Sequence, residues 1–242
     1  MLRLSDFRGV VSDKVIYDIY YKAKSLQRKS IVHLNATYQG GGVAEILYSL
    51  VLLMNDVGIN TEWRVLKGDS EFFNITKSFH NALQGADFNF TEEMQEVYLN
   101  NNNHFAQFND LYHDCVIIHD PQPLSLIDSY KKRAPWIWRC HIDLTDPHAR
   151  LWYFLKDFIL KYDDMIVSSS NYTKSDIPIR QKIIAPAINP LDSKNYEMTD
   201  EGVRLYIDKA NIPTDKPIIT QVSRLDPWKD PEGVIDVFER VK

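Results

Sequence analysis

The sequence predicts an α/β fold, a Rossmann-like doubly wound sheet of mostly parallel strands. Three observations carry that expectation. Strand-like and helix-like patterns alternate along most of the chain, the arrangement that builds parallel sheets from βα units. Several strand-like runs, such as Cys115-Val116-Ile117-Ile118 and Met165-Ile166-Val167, are apolar without interruption, as strands covered on both faces must be. The run Ile31 to Ala36 leads into Gly40, Gly41 and Gly42, which open directly into the apolar stretch Val43 to Met54. Strand, glycine turn and helix together offer an anion free backbone N–H groups and the positive end of a helix dipole. The spacing is not G-x-G-x-x-G, so an ordinary dinucleotide fingerprint is not met. A tight turn with no ligand is the alternative reading of the triplet.

The elements follow in order. Residues 1–29 are charged and lean towards helix, with Val15, Ile16, Ile19 and Tyr20 forming an apolar stripe. Strands are expected at 31–36, 61–66, 114–119, 136–140, 164–168, 182–185 and 217–222. Helices are expected at 43–56, 70–83, 91–103, 122–132, 148–162 and 200–210. The run Asn100 to Asn103 reads as a helix end or a loop, and Lys131-Lys132-Arg133 as the solvated end of a helix. No internal repeat is visible.

Composition sets outer bounds. The 242 residues can hold one large domain or one and a half smaller ones, and 44% are hydrophobic, with five Trp, eleven Phe and thirteen Tyr to fill a core. A net charge of −5 without a long basic run argues against a nucleic-acid surface. Cys115 and Cys140 both fall in strand-like runs and read as buried free thiols, which fits a reducing cytoplasm. There is no apolar run of signal-peptide type and none approaching the ~20 residues needed to cross a bilayer. The expectation is a soluble cytoplasmic protein with no membrane contact.

A boundary is expected near 187–216, where Pro186, Pro190, Pro213 and Pro217 cluster. That gives a first domain over 1–215 and the start of a second over 216–242. The second begins with the apolar run Ile218 to Val222, then Ser223-Arg224-Leu225-Asp226-Pro227-Trp228-Lys229. A helix should start at Pro231, with Asp230 as its N-cap.

Candidate chemistry clusters at the expected carboxyl ends of strands, where ligands bind in open α/β sheets. Besides the glycines, these are His119-Asp120-Pro121-Gln122-Pro123, Arg139-Cys140-His141-Ile142-Asp143, and Ser223-Arg224 with Lys229. Each has a plainer reading. His119 can be a core histidine, Asp120 can shape a turn before proline, His141 and Asp143 can pair locally, and Arg224 and Lys229 can be solvated. Their shared edge is what favours a site. The histidines lack the close spacing of metal ligands, and the cysteines are not paired with them, so no metal site is expected.

Six phrases resemble the retaining GT-B glycosyltransferases of family 4, the glycogen-synthase-like group. They are Gly40 to Leu47, Phe72 to Lys77, Phe79 to Gly85, His119 to Pro123, Trp136 to Leu144 and Ile218 to Arg224. Within that group the likeness is to archaeal and bacterial trehalose glycosyltransferring synthases. It covers nearly the whole chain, and Phe79-His80-Asn81-Ala82-Leu83-Gln84-Gly85 is far more specific than a generic loop.

The resemblance implies two Rossmann-type lobes, the N-terminal one holding an acceptor and the C-terminal one a nucleotide sugar. It implies transfer of glucose from ADP-glucose or UDP-glucose to glucose, giving trehalose, with no cofactor required and any Mg2+ on the nucleotide non-essential. Asp120 and His141 then match the residues at the reacting sugars. Gly41, Gly42, Gln122 and Asp143 are expected to contact substrate, and Arg224 and Lys229 to grip the donor diphosphate. The family's C-terminal lobe carries two glutamates seven residues apart, and this chain ends about one helix into that lobe. The expectation is therefore a fragment or truncation, weak or inactive alone, whose strand at 217–222 lacks sheet partners. A retaining trehalose phosphorylase is the alternative enzyme, and a non-catalytic sugar-binding module the alternative of another class. Expected partners are small sugars and a nucleotide sugar, with a homo-oligomer left open.

Overall fold

The structure, a computed structural model, describes residues 2–223, 225 and 227–241. The chain divides into two compact units, Met1–Asn195 and Tyr196–Lys242. The first is an α/β unit on one parallel sheet. Its strands are β1 (Ser30–Asn35), β2 (Asn60–Val65), β3 (Cys115–His119), β4 (Trp136–Arg139), β5 (Asp164–Val167) and β6 (Arg180–Ile183), ordered β2-β1-β3-β4-β5-β6. Neighbouring strands all pair in parallel. The helices are α1 (Asp13–Ala23), α2 (Gly42–Asp56), α3 (Ser70–Leu83), α4 (Glu92–Phe108) and α5 (Ala149–Ile159). This is the Rossmann-like class the alternation predicts, with a single lobe present.

Strand alternation sorts the core onto two faces. Ile31, Cys115 and Ile117 join Ile16, Ala23, Leu53 and Met54 of α1 and α2 in a small cluster. Val32, Leu34, Val116, Ile118, Trp136 and Trp138 point the other way, into the main core with Phe72, Phe79, Tyr98, Leu151 and Leu155 of α3, α4 and α5. Both faces are covered, which is why the strands read as unbroken apolar runs. Of the α1 stripe only Ile16 is buried, since α1 covers just the small cluster; Val15, Ile19 and Tyr20 are exposed. Cys140 is buried as expected, whereas Cys115, at the start of β3, is only half-buried.

The strand order places a switch point between β1 and β3. The chain leaves β1 towards β2 on one side and returns to β3 on the other. The crevice at the carboxyl ends of these two strands is the standard ligand position in such sheets.

Two local expectations fail. No α-helix forms over 122–132, only a 3-10 turn at Leu124–Asp128, and Lys131-Lys132-Arg133 follow as coil. Side chains from neighbouring elements occupy the backbone groups an α-helix would pair. The Tyr98 hydroxyl donates to the Pro121 carbonyl at 2.7 Å and accepts the Ser125 N–H at 3.2 Å, standing inside what would be an i→i+4 bond. The Leu124 carbonyl is taken by the Tyr162 hydroxyl at 2.7 Å. Conversely, Asn100 to Asn103 lie inside α4, not at its end. Each of three amides finds work there. Asn101 donates to the Lys67 carbonyl, Asn102 to the Tyr98 and Gln122 carbonyls, and Asn103 accepts from Ser129.

The second unit holds α6 (Asp200–Lys209) and α7 (Pro231–Val241). Asp230 caps α7 as expected, accepting the Gly233 N–H at 3.1 Å. The strand expected at 217–222 does not form among the described residues, and Ile218, Ile219 and Val222 are exposed. A β-strand is defined by its ladder, and the described residues of the second unit include no strand to supply one.

Candidate active site

The carboxyl edge of the sheet is organised around Asp120. This residue follows β3 in the left-handed region, at φ 61°, which Asp tolerates better than most side chains. Three bonds to the end of β4 hold it there. Its N–H donates to the Arg139 carbonyl at 2.9 Å, its carbonyl accepts from Trp138 Nε1 at 2.9 Å, and Oδ1 accepts the main-chain N–H of His141 at 2.8 Å. Trp138 is fully buried, so the turn is anchored to the core. Burial pushes the Asp120 carboxyl up to about 7, against the pull of the His141 N–H and the Arg139 charge.

A row of three imidazoles crosses the same edge. His33 Nδ1 lies 3.0 Å from His119 Nε2, and His119 Nδ1 lies 3.0 Å from His141 Nε2. The His119 and His141 rings stack at 5.3 Å with planes 17° apart. His33 and His119 are buried and His141 is half-buried. Burial holds His33 and His141 down at about 4 and His119 well below its ordinary value, so the row is uncharged near neutrality. The far nitrogen of the row, His33 Nε2, is buried without a hydrogen-bond partner.

Arg139 closes the edge on the other side. Its Nη1 donates to the Val167 carbonyl at 2.9 Å, and its Nη2 to the Ile184 carbonyl at 2.5 Å and Ser168 Oγ at 3.4 Å. These partners are neutral, so the guanidinium keeps its charge beside the site while tying β4 to the ends of β5 and β6. Burial lowers its pKa from the ordinary value.

The glycine loop borders a cleft. Gly40 and Gly41 have φ of 73° and 115°, and α2 starts at Gly42 with no side chain capping its N-terminus. A Cβ on any of the three would meet nothing within 4 Å, so no protein neighbour demands their smallness. The cleft, of about 480 Å3, is lined among others by Tyr38, Gly40, Gly42, Tyr48, Asn189 and Lys194. Lys194 reaches Glu45 in the first turn of α2 at 2.6 Å.

The structure brings Asp120 and His141 into direct contact and sets Gly42 on a cleft that neither of them lines, with Gly41 next to it in the chain. The Gln122 carbonyl is held by Asn102, leaving its half-buried side chain beside Asp120 in the chain. The Asp143 carboxylate is engaged locally, accepting the N–H and hydroxyl of Thr145 at 2.8 and 2.5 Å. Lys229 is exposed in the second unit, where its carbonyl accepts from Gln221. Arg224 lies outside the described residues. Sequence reasoning left out His33 and Arg139 as site residues. The signal for His33 was a lone imidazole in Ile31-Val32-His33-Leu34, a run otherwise apolar. Among the described residues no group of three or more His, Cys, Asp or Glu is arranged to hold a metal, and no helix is long and apolar enough to cross a membrane.

Comparison with known proteins places this edge in context. A family model described as trehalose synthase, N-terminal domain, matches residues 33–174, a span that begins at His33 and includes His119, Asp120, Arg139 and His141. The trehalose synthase of Thermococcus litoralis is 49% identical over 243 residues, covering 99% of this chain and 59% of the relative. That of Rubrobacter xylanophilus is 38% identical over 247 residues, with the same shares covered. The trehalose phosphorylase of Pleurotus pulmonarius is 26% identical over 277 residues, covering 99% of this chain and 37% of the relative. The chain thus spans about three-fifths of the length of the trehalose synthases it matches.

Proposed function

The chain belongs to the family of trehalose synthase N-terminal domains, and we propose that its carboxyl-edge crevice is the acceptor side of a retaining glycosyltransferase. The reaction is transfer of glucose from ADP-glucose or UDP-glucose to free glucose, giving α,α-trehalose and the nucleoside diphosphate. One observation carries the reading: Asp120 and His141 are set by a direct bond between the ends of β3 and β4, beside the β1/β3 switch point. Oδ1 of Asp120 is spent on the His141 main chain, which leaves Oδ2 to accept from a sugar hydroxyl. The His141 ring stands at the outer end of its row, where it can meet the transferred sugar. As the glycosidic bond to the leaving diphosphate breaks, positive charge grows on the sugar ring. An ionised Asp120 stabilises that charge more than it stabilises the ground state. The glycine loop offers uncapped N–H groups to phosphate or hydroxyl oxygens. Lys229 and Arg224 complete the proposal as diphosphate ligands.

Incubating a full-length version, one that carries the nucleotide-sugar lobe, with ADP-glucose or UDP-glucose and glucose, then separating the sugars, tests the reading. Trehalose and nucleoside diphosphate in equal amounts are expected. An α-1,4 glucan without trehalose overturns it. The likeness to trehalose phosphorylases favours a second reading, in which inorganic phosphate replaces the nucleotide. Turnover of trehalose with phosphate, and none with nucleotide sugar, selects that one. Sugar binding without turnover under either condition selects a non-catalytic module.

A further inference from the structure

The three imidazoles hold a proton count that fixes what His141 can do. Each N···N contact of 3.0 Å, His33 to His119 and His119 to His141, needs one proton between its two nitrogens. Three neutral rings carry three N–H groups. Two fill the contacts, and the third sits at one end of the row, on His33 Nε2 or on His141 Nδ1. The whole row is therefore polarised one way or the other.

The ends are not equivalent. His33 Nε2 is buried and has no partner. A proton there would strand an N–H donor in the core, and orphaned buried donors are rarer in proteins than under-satisfied acceptors. At the other end the His141 ring is half-buried, so an N–H on Nδ1 can be met by water or by a ligand. Burial holds all three rings uncharged, which keeps the count at three.

We propose that His33 and His119 are positioning residues: they polarise the row outward and present His141 as a hydrogen-bond donor from Nδ1, aimed at a sugar oxygen. All three rings then carry their proton on Nδ1. This is the less populated form of a neutral histidine in water, so it serves as a signature. The sugar as ligand rests on the function proposed above; the direction of the row does not. His141 is therefore a donor to an oxygen lone pair, and not a base.

The test is long-range 1H–15N correlation on this chain labelled with 15N-histidine, at neutral pH, with and without glucose. Three Nδ1–H rings are expected, with His141 moving on addition of glucose. An Nε2–H form at His119 or His141 in the unsubstituted protein overturns the proposal, whatever the sugar does. Nδ1–H rings that do not respond to glucose or trehalose leave the direction of the row established and overturn the sugar as its ligand. In His33→Phe the buried inner end passes to His119 Nε2, which has the same reason to stay unprotonated, so His119 and His141 should remain Nδ1–H. Nε2–H at either ring in that variant, with native far-ultraviolet dichroism, overturns burial of the inner end as what directs the row. Should His33→Phe not fold, the unsubstituted spectrum alone decides.

Discussion

Asp120 Oδ1 accepts the main-chain N–H of His141 at 2.8 Å, so one carboxylate ties the end of β3 to the end of β4 and, in the function proposed above, also meets the sugar. Substitution can separate these two jobs. Asp120→Asn keeps an oxygen for the His141 N–H and removes the charge. In the full-length version its trehalose-forming rate should fall by on the order of a hundredfold, the scale of ~3 kcal/mol for losing a preorganised electrostatic contact, with no loss of Tm. Asp120→Ala also loses the bond and places alanine at φ 61°, and should cost about 2 kcal/mol of stability besides. A lowered Tm with the rate per folded molecule unchanged would make Asp120 a turn former only.

The same carboxyl has a pH signature of unusual sign. Burial raises Asp120 to about 7, above the ~4 of an unfolded aspartate. Between those values the folded protein holds a proton that the unfolded chain has lost, so the stability this group contributes falls as pH rises from about 4 to about 7. The lowered histidines act oppositely between about 4 and ~6.5, gaining stability as pH rises. Asp120→Asn cancels only the first effect. Its Tm relative to the unsubstituted protein should climb from pH 4.5 to pH 8, and melts at both values check this. A constant difference would mean that Asp120 titrates at an ordinary value.

Asn102 connects the helix core to the site loop. Its Nδ2 donates to the Gln122 carbonyl and to the Tyr98 carbonyl, both at 3.0 Å, while its Oδ1 is buried without a partner. Asn102→Ala should cost about 2 kcal/mol in chemical denaturation. Asn102→Asp sets a carboxylate against two carbonyl oxygens and should cost more than the alanine. If the aspartate proved the milder of the two, this amide would not be what holds residues 121–123.

Where burial governs an element, the sequence shows it; where a partner from elsewhere in the chain governs it, the sequence does not. The apolar runs of β1, β3 and β5 announce a sheet covered on both faces. The helix expected over 122–132 has the right composition, and it is two distant hydroxyls, Tyr98 and Tyr162, that take its backbone groups. The run 217–222 has strand composition, but a ladder is a property of the neighbour. At the candidate site, Asp120 and His141 stand out in the sequence because they follow strands β3 and β4. His33 does not, because it lies inside one, and only the pairing of β1 with β3 brings its ring to His119. Arg139 reads in the sequence as one residue of the Arg139 to Asp143 run, since its role depends on carbonyls at the ends of β5 and β6.

The glycine loop separates a structural need from a ligand's need within two adjacent residues. Gly41 has φ of 115° and ψ of 154°, a conformation an L side chain reaches only with strain, so Gly41→Ala should lose about 1–2 kcal/mol whatever the loop binds. Gly42 has no positive φ, starts α2, and a Cβ there would meet no atom within 4 Å. Gly42→Ala should therefore leave stability unchanged or raise it by about 0.5 kcal/mol, since alanine restricts the unfolded chain and suits a helix. If the loop brings its N–H groups against a phosphate or a sugar, that harmless methyl enters the ligand's space. Calorimetric titration of Gly42→Ala with glucose, and with ADP-glucose, should then show binding weakened at least tenfold in a protein that melts no lower than the original. Unchanged binding of both ligands in Gly42→Ala would mean that the triplet is a tight βα turn and that the ligand approaches the edge elsewhere, over Asp120 and His141.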